Sequence, residues 1–487
     1  MRFDLLAVIM AGGFGTRFQS LTCKMAEENP ELFVGTDGCP VADIPKPLAL
    51  IDGVPVLERE IMTLREQGFT DIILTVSYLH EVIESYFGDG SGISRATGKP
   101  FGVSIRYFVE EEPLGNAGAL YKLVASRELK GDFLLLNADS LFDIDFKRIV
   151  DFHHRHKAQA TLFTHPNSHP YDSGLIITAE DGSGRVDHWM TKEDKRPEFY
   201  HNRVNAGLHV LSCAALDEAA NISGIQPDKI GKMDEVTGKV YKVDLDRQIL
   251  KPLCQKGRVF AYDSPEYVKD MGTPERFVSV VRDFRKGTVK AKNLKCHQKA
   301  VFLDRDGTIN RYCGFLRNID EFELLPGVAE SICEFNAAGF LVIVVTNQPV
   351  VARGEVSLTG LEDIHKKMET LLGEHGAYVD GIYVCPHHPD KGFVGEIPEL
   401  KIDCDCRKPK PGLLLRAAED FNIDLVASWM VGDTARDIEC GRNAGCHTAL
   451  LTGEGTAPDA SEKQTEAQAA EIVCNDMREF CDFLLKE

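Results

Sequence analysis

Several residues in the second half of this chain have the types and spacing to handle phosphate. Phe302–Asn310 reads FLDRDGTIN. An aspartate that ends an apolar run, followed two residues later by another, can divide phosphoryl transfer between the two. Asp304 can attack phosphorus and become an aspartyl phosphate. Asp306 can protonate the leaving alcohol and later activate water. Two such carboxylates repel a phosphate dianion unless a cation sits between them, so the pair implies Mg²⁺. Downstream, Val345–Gln348 (VTNQ) offers the Thr346 hydroxyl and the amides around Asn347 to a phosphate. In RKPKP, Lys408 can neutralise phosphoryl oxygens beside Arg407. In VGDTARD, Asp433 is a further Mg²⁺ ligand, with Asp437 one helical turn on. The expected Mg²⁺ set here is Asp304, Asp306 and Asp433. Cys385, His387, Cys404 and Cys406 supply three thiolates and an imidazole, a closed set suited to structural tetrahedral Zn²⁺. Such a stapled loop runs directly into Arg407 and Lys408 and would orient both cations.

The first half carries a different set. Ala11–Arg17 reads AGGFGTR, a turn whose glycines let backbone amides approach and cradle phosphates. It lacks the Gly-Lys-Ser/Thr of a Walker loop, and Phe18 stands where a dinucleotide fingerprint needs its third glycine. Lys46 lies between two prolines, whose fixed φ gives it a defined direction. Pro113–Ala119 (PLGNAGA) is a small-residue loop that can lie against a flat base or ribose. Asp139 ends the run LLLNAD, and Asp270 opens the turn DMGTP. Brought to one site, these two carboxylates can hold Mg²⁺ against a triphosphate.

These residues need strands to present them. Apolar runs at Leu5–Met10, Ile72–Val76 and Phe133–Asn137, and again at Lys299–Leu303, Leu341–Val345 and Trp429–Gly432, alternate with longer amphipathic stretches. That alternation predicts an α/β fold in both halves, with chemistry at the C-terminal strand ends. The polar, basic stretch RKGTVKAKNLKCHQK suggests a division into residues 1–284, a linker at 285–298, and 299–487. The Thr-, Ala- and Glu-rich segment Gly453–Glu471 reads as a surface loop with a helix.

Composition narrows the partners. The chain is 487 residues long, with a net charge of −20, 43% hydrophobic and 27% charged residues. That is globular composition, and its acidity argues against wrapping nucleic acid or an anionic membrane. No apolar stretch approaches the roughly 20 residues of a membrane helix. The N-terminal apolar run lacks a basic n-region, so the expectation is a cytoplasmic protein. The 14 cysteines are scattered along a long chain, which favours reduced thiols plus one metal site over disulfides. His153, His154 and His156 read as a solvated helix face. Residues 18–44 form an unexplained extra segment compatible with a homo-oligomer contact.

In that order, AGGFGTR, PKPL, PLGNAGA, NAD and DMGTP resemble the sugar-1-phosphate nucleotidyltransferase family, from Leu5 to about Phe284. The resemblance implies a Rossmann-like mixed sheet and transfer of a nucleotidyl group from an NTP to a sugar 1-phosphate, releasing pyrophosphate. It implies that Gly12, Gly13, Gly15 and Thr16 hold the triphosphate and that Gly115 faces the nucleoside. Arg17 would stabilise the departing pyrophosphate, Lys46 would contact the reacting phosphates, Asp139 and Asp270 would hold Mg²⁺, and Asn205 in VNAG would contact the sugar. The interval from Arg17 to Pro45 is longer than the family pattern, and Ala138 replaces a more usual glycine.

From Lys299 onward, DRDGT with Lys408 and the Gly-Asp pair resembles the haloacid dehalogenase superfamily of phosphatases. The zinc loop is similar to its capless heptose bisphosphate and histidinol phosphatase branch, a parallel-sheet domain. There Arg353, in Ala-Arg-Gly, would contact the distal part of the substrate. Pro349-Val350-Val351 stands where that branch shows Ser-Gly-Ile. Together the resemblances imply a bifunctional enzyme of nucleotide-activated heptose biosynthesis, serving surface glycans. The second half would convert D-glycero-D-manno-heptose 1,7-bisphosphate to the 1-phosphate, and the first would couple that to a nucleotide, GTP favoured. Open alternatives are CTP, ATP or UTP, another sugar phosphate, or a histidinol-phosphate-like phosphatase fused to a nucleotide-sugar-binding sensor.

Overall fold

A computed structural model describes residues 5–13, 15–191, 193–233, 238–457 and 470–486. Residues 458–469, most of the stretch expected to be a loop with a helix, lie outside it. The chain packs as two compact units.

In the first unit, Leu6–Met10 runs parallel to Asp71–Val76 on one side and to Asp132–Asn137 on the other. Ser104–Val109 extends the parallel edge, whereas Val204–Ser212 pairs antiparallel with Asp132–Asn137, which makes the sheet mixed. Among the described residues this sheet has nine strands. Its central strands are apolar throughout because both faces are covered. Ala7 and Ile9 enter one hydrophobic cluster, and Val8 enters the other. The glycine loop and Asp139 leave the C-terminal ends of two neighbouring strands.

The second unit holds a six-stranded parallel sheet. Its order is Gly381–Cys385, Leu341–Asn347, Ala300–Leu303, Trp429–Gly432, His447–Leu451 and Ile472–Cys474. Val301 and Leu303 face one core, Ala300 and Phe302 the other. Ala300–Leu303 is the strand from which connections turn both ways, the place where such sheets open a crevice. Both halves are thus α/β, as the apolar runs imply.

The unit boundaries differ from a simple division into halves. The changeover falls between Asn293 and Leu294, inside the stretch read as a linker. That stretch is not free of structure: Thr288–Ala291 is a short helix, and Val289 and Leu294 are buried. His165–Leu175 and Met190–Val204 pack with the second unit although they precede the linker. The physical reason lies on the helix Leu358–Glu374. Glu369 is 2% exposed there and needs cations. His201 Nδ1 lies 2.5 Å from Glu369 Oε2, and Arg203 donates to Oε1 at 2.9 Å. The Tyr200 amide donates to Thr370 Oγ1 at 2.9 Å.

The three clustered histidines do not share one solvated face. His153 is 1% exposed, its Nδ1 lies 2.9 Å from Thr161 Oγ1, and burial pushes its pKa down to about 4. It is a neutral core residue, while His154 stays half exposed beside Asp132. All fourteen cysteines are free thiols. No described helix is long and apolar enough to cross a membrane.

Burial alone would discharge His201, but Glu369 and Glu362 outweigh it and hold its pKa up at about 9. A folded-state pKa above the ordinary 6.5 stabilises below that value and fades as pH rises through about 9. Thermal melts from pH 6 to 10 should therefore fall for the wild type, and His201→Gln should flatten that slope between about pH 6.5 and 9. An unchanged slope in the variant would contradict this.

Candidate functional sites

In the first unit the C-terminal strand ends open on a cleft of about 630 Å³. Gly12, Gly13, Gly15, Thr16 and Arg17 line it, together with Lys46, Gly115 and Asp139. Gly15 has φ +58°, and a Cβ there would lie 3.2 Å from that of Lys46. Gly115 has φ +83°, and a Cβ would lie 2.3 Å from the Val243 carbonyl, so only glycine fits. Lys46 is nearly buried, and its Nζ lies 2.8 Å from Asp139 Oδ2. Asp139 and Asp270 are brought close by antiparallel pairing of Ser140–Asp143 with Tyr267–Asp270. The Met271 amide bonds to the Asp139 carbonyl at 2.8 Å. The Asp270 carboxylate itself is exposed and held by Arg276 at 2.9 Å and by the Gly272 amide. Asp270 and Asn205 are not among the residues lining the cleft. Asn205 Oδ1 instead accepts from the Gly207 amide at 3.3 Å.

Two charged cleft residues escaped the sequence reading. Lys242 lines it from a loop far along the chain. Glu110, just past the strand Ser104–Val109, faces the cleft and accepts from the Leu114 amide at 3.3 Å. Burial raises its pKa, and that amide opposes the rise. In the sequence, Glu110 is only the first of three glutamates and reads as solvated.

In the second unit Asp304, Thr346, Asn347 and Asp433 stand at or just past strand ends. Lys408 Nζ reaches Asp304 Oδ1 at 2.6 Å, Asp437 Oδ1 at 2.6 Å and the Val345 carbonyl at 2.9 Å. Asn347 grips the Lys408 backbone on both sides, its Oδ1 accepting at 3.0 Å and its Nδ2 donating at 3.1 Å. Thr346 is buried, its Oγ1 accepting from Gln348 at 2.8 Å. Burial first, then Asp437 and Asp306, push Asp304 up to about 6 against the pull of Lys408. Burial, Asp304 and Asp437 push Asp433 up to about 8. Arg353 lies between the rings of Phe315 and Phe393, 4.3 and 4.5 Å from their centroids. Arg407 donates to the His387 carbonyl at 3.2 Å.

The metal-competent carboxylates are Asp304, Asp433 and Asp437, with one oxygen of each within 4.8 Å of the others. The expected set names Asp306 where this cluster has Asp437, and the Asp306 carboxylate is engaged by neighbouring side chains. Arg305 forks Asp306 at 2.9 and 3.0 Å, and Asn310 and Gln348 donate to it as well. Three carboxylates facing one lysine leave a surplus of negative charge, and Asp433 Oδ1 is buried with no partner. A hard divalent cation fits that donor set. Cys385, His387, Cys404 and Cys406 also converge. Their ligand atoms lie 3.2 to 3.9 Å apart along the contacts between them. Bonds of about 2.3 Å to a tetrahedral ion place sulfurs about 3.8 Å apart, so the set fits one.

A nucleotidyl transferase family model matches residues 40–286, and a HAD-hydrolase-like model matches 405–480. The D-glycero-beta-D-manno-heptose-1,7-bisphosphate 7-phosphatase of Escherichia coli K12 is 38% identical over 190 residues, 39% of this chain and 94% of that protein. The protein of the same name from Pasteurella multocida is 42% identical over 159 residues, 32% of this chain and 83% of its own. The chain belongs to the nucleotidyl transferases and, in its second half, to the HAD-type phosphatases. It is a bifunctional enzyme with transferase and hydrolase activities. Among solved structures, the D,D-heptose 1.7-bisphosphate phosphatase from B. bronchiseptica is 35% identical, covering 39% of this chain and 99% of that one, with a TM-score of 0.33. HddC from Yersinia pseudotuberculosis is 23% identical, covering 58% and 100%, with a TM-score of 0.39.

The phosphatase site depends on one glycine. Gly307 has φ +84°, and a Cβ there would lie 1.9 Å from Asp433 Oδ2. Gly307→Ala should lose phosphatase turnover and cost at least about 1–3 kcal/mol from backbone strain alone in denaturant unfolding. Wild-type turnover and stability in that variant would contradict the geometry.

Proposed function

We propose that the phosphatase half converts D-glycero-D-manno-heptose 1,7-bisphosphate to the 1-phosphate. The transferase half then couples that 1-phosphate to a nucleotide from GTP. The observation that carries this reading is the near full-length match of the second half to curated 7-phosphatases, joined to a nucleotidyl transferase. The alcohol that one half frees leaves the anomeric phosphate that the other consumes.

In the phosphatase, Asp304 attacks phosphorus and Asp306 protonates the departing sugar oxygen, then takes a proton from water. Lys408 lies against Asp304 and opposes charge growing on the phosphoryl oxygens. Asn347 serves by holding Lys408 in place, and Thr346 stands beside it. Asp304, Asp433 and Asp437 are the residues that would hold Mg²⁺, which supplies neutralisation between nucleophile and phosphate. The Cys₃His set would hold Zn²⁺ and so fix the loop leading into Arg407 and Lys408. The second phosphate has cations to meet. Burial and then Arg407, Arg353 and Lys401 push His388 below its ordinary pKa range, against Asp390. That marks a positive field at Arg353 and Arg407, suited to a distal phosphate.

In the transferase, the amides of Gly12, Gly13 and Gly15 with Thr16 bind the triphosphate. Lys46 meets the reacting phosphates, and Arg17 meets the departing pyrophosphate. Asp139, with Asp270 beside it, would hold Mg²⁺ on the nucleotide; the sugar contact of Asn205 rests on the family resemblance alone, since Asn205 does not line the cleft. Glu110 supports the choice of base. An ionised carboxylate can accept from both N1–H and N2–H of guanine. Uracil, adenine and cytosine each set an acceptor beside their donor on that edge, which repels it.

Asp304→Asn should cut phosphate release from the bisphosphate by about 10³-fold or more while leaving nucleotide-sugar formation from heptose 1-phosphate intact. Loss of both activities, or of neither, would contradict the assignment. Glu110→Gln should lower kcat/KM for GTP by about 10–100-fold, as expected for about 1–3 kcal/mol of base discrimination. Its effect on UTP, compared in the same assay, should be far smaller. Equal effects on all nucleotides would remove Glu110 from base readout.

A further inference from the structure

Arg305 stands between the two aspartates of the phosphatase loop, and its side chain is fully buried. A buried guanidinium needs acceptors for its donors. Nε and Nη2 take Asp306, at 3.2 Å and at 2.9 and 3.0 Å. Nη1 points the other way, to His365 Nε2 at 3.4 Å. A cation donating to Nε2 requires a lone pair there, so the ring is neutral with its proton on Nδ1. Burial and the Arg305 charge both hold His365 well below its ordinary pKa, in agreement. Nδ1 faces Glu362 Oε1 at 3.9 Å, and the other Glu362 oxygen lies 3.2 Å from His201 Nε2. Glu362, His365 and Glu369 share one face of the helix Leu358–Glu374, the face that also anchors Met190–Val204.

We infer that His365 is a positioning residue for Asp306, acting through Arg305. It sets the plane of the guanidinium, and that plane aims the carboxylate that must meet the leaving oxygen. A side chain without an acceptor at this point leaves Nη1 buried and unpaired, and the fork turns. His365 touches no reacting atom. The inference rests on the acid–base role proposed above for Asp306.

Leaving-group dependence tests it. A sugar phosphate needs a proton on its departing alkoxide, whereas p-nitrophenyl phosphate releases a stable phenolate without one. The full chain and its variants are assayed on D-glycero-D-manno-heptose 1,7-bisphosphate and on p-nitrophenyl phosphate with Mg²⁺. Asp306→Asn serves as the reference and should slow the sugar phosphate far more than the aryl ester. His365→Leu should show the same selectivity, at least about tenfold in kcat with KM little changed. His365→Gln, which restores an acceptor, should recover most of it. Should His365→Leu fail to fold, Arg305→Lys keeps the charge without the fork and should give the same pattern. An aspartate reference without selectivity would overturn the role of Asp306. A selective reference beside His365→Leu or Arg305→Lys that slows both substrates equally, or neither, would overturn the inference. So would a glutamine variant no better than leucine.

Discussion

Lys408 is an ammonium with 3% of its side chain exposed, and it is tolerable there only because its three protons meet three acceptors. Burial favours the neutral amine, yet Asp304 and Asp437 hold it charged. The second half is arranged around this contact. Three parallel strands end where the acceptors are needed: Val345 lies in one, and Asp304 and Asp437 follow the other two. Asn347 clamps the Lys408 backbone from the same strand end. The cysteine loop delivers Lys408 from the opposite side, ending at Cys406, two residues before it. Once Lys408 is satisfied, Asp433 keeps an unpaired buried oxygen, and the surplus negative charge calls for a divalent cation.

The first half uses a looser version of the same pairing. Lys46 is nearly buried against Asp139, which is itself 44% exposed on a cleft wide enough for a nucleotide. Solvent therefore shares that charge, and the balance there shifts with the anion that enters. Stiff geometry comes instead from the backbone: a proline on each side of Lys46, and glycines with positive φ at Gly15, close to Lys46, and at Gly115, where a Cβ would strike the Val243 carbonyl.

Much of this was legible in the sequence. Both sheets, the glycine loop, Asp304 and Asp433 lie next to apolar runs that must be strands, so local pattern fixes their place, whereas Lys408 and the Cys₃His set are marked by their own motif spacing. What stayed hidden depends on the other side of a contact. Glu110 sits in an acidic run that looks solvated, and only the sheet shows that it faces the cleft. Asp306 has the spacing of a metal ligand, and only the fold shows its carboxylate accepting from Arg305, Asn310 and Gln348. His153 shares a polar stretch with His154 and His156, yet helix rotation carries it inward to Thr161. Met190–Val204 has no regular apolar period, and its polar bonds to the buried Glu369 and to Thr370 appear only in the fold.

The proposed function fixes an order of events: the phosphatase acts on the bisphosphate first, and the transferase uses what it leaves. A ³¹P NMR time course of the full chain with Mg²⁺, D-glycero-D-manno-heptose 1,7-bisphosphate and GTP tests it in one tube. The 7-phosphate signal should pass into inorganic phosphate while the 1-phosphate signal persists. That signal should then give way to a sugar-linked diphosphate as pyrophosphate appears, and without GTP the reaction should stop at the 1-phosphate. Pyrophosphate released while the 7-phosphate is still attached, or loss of the 1-phosphate as inorganic phosphate, would contradict it.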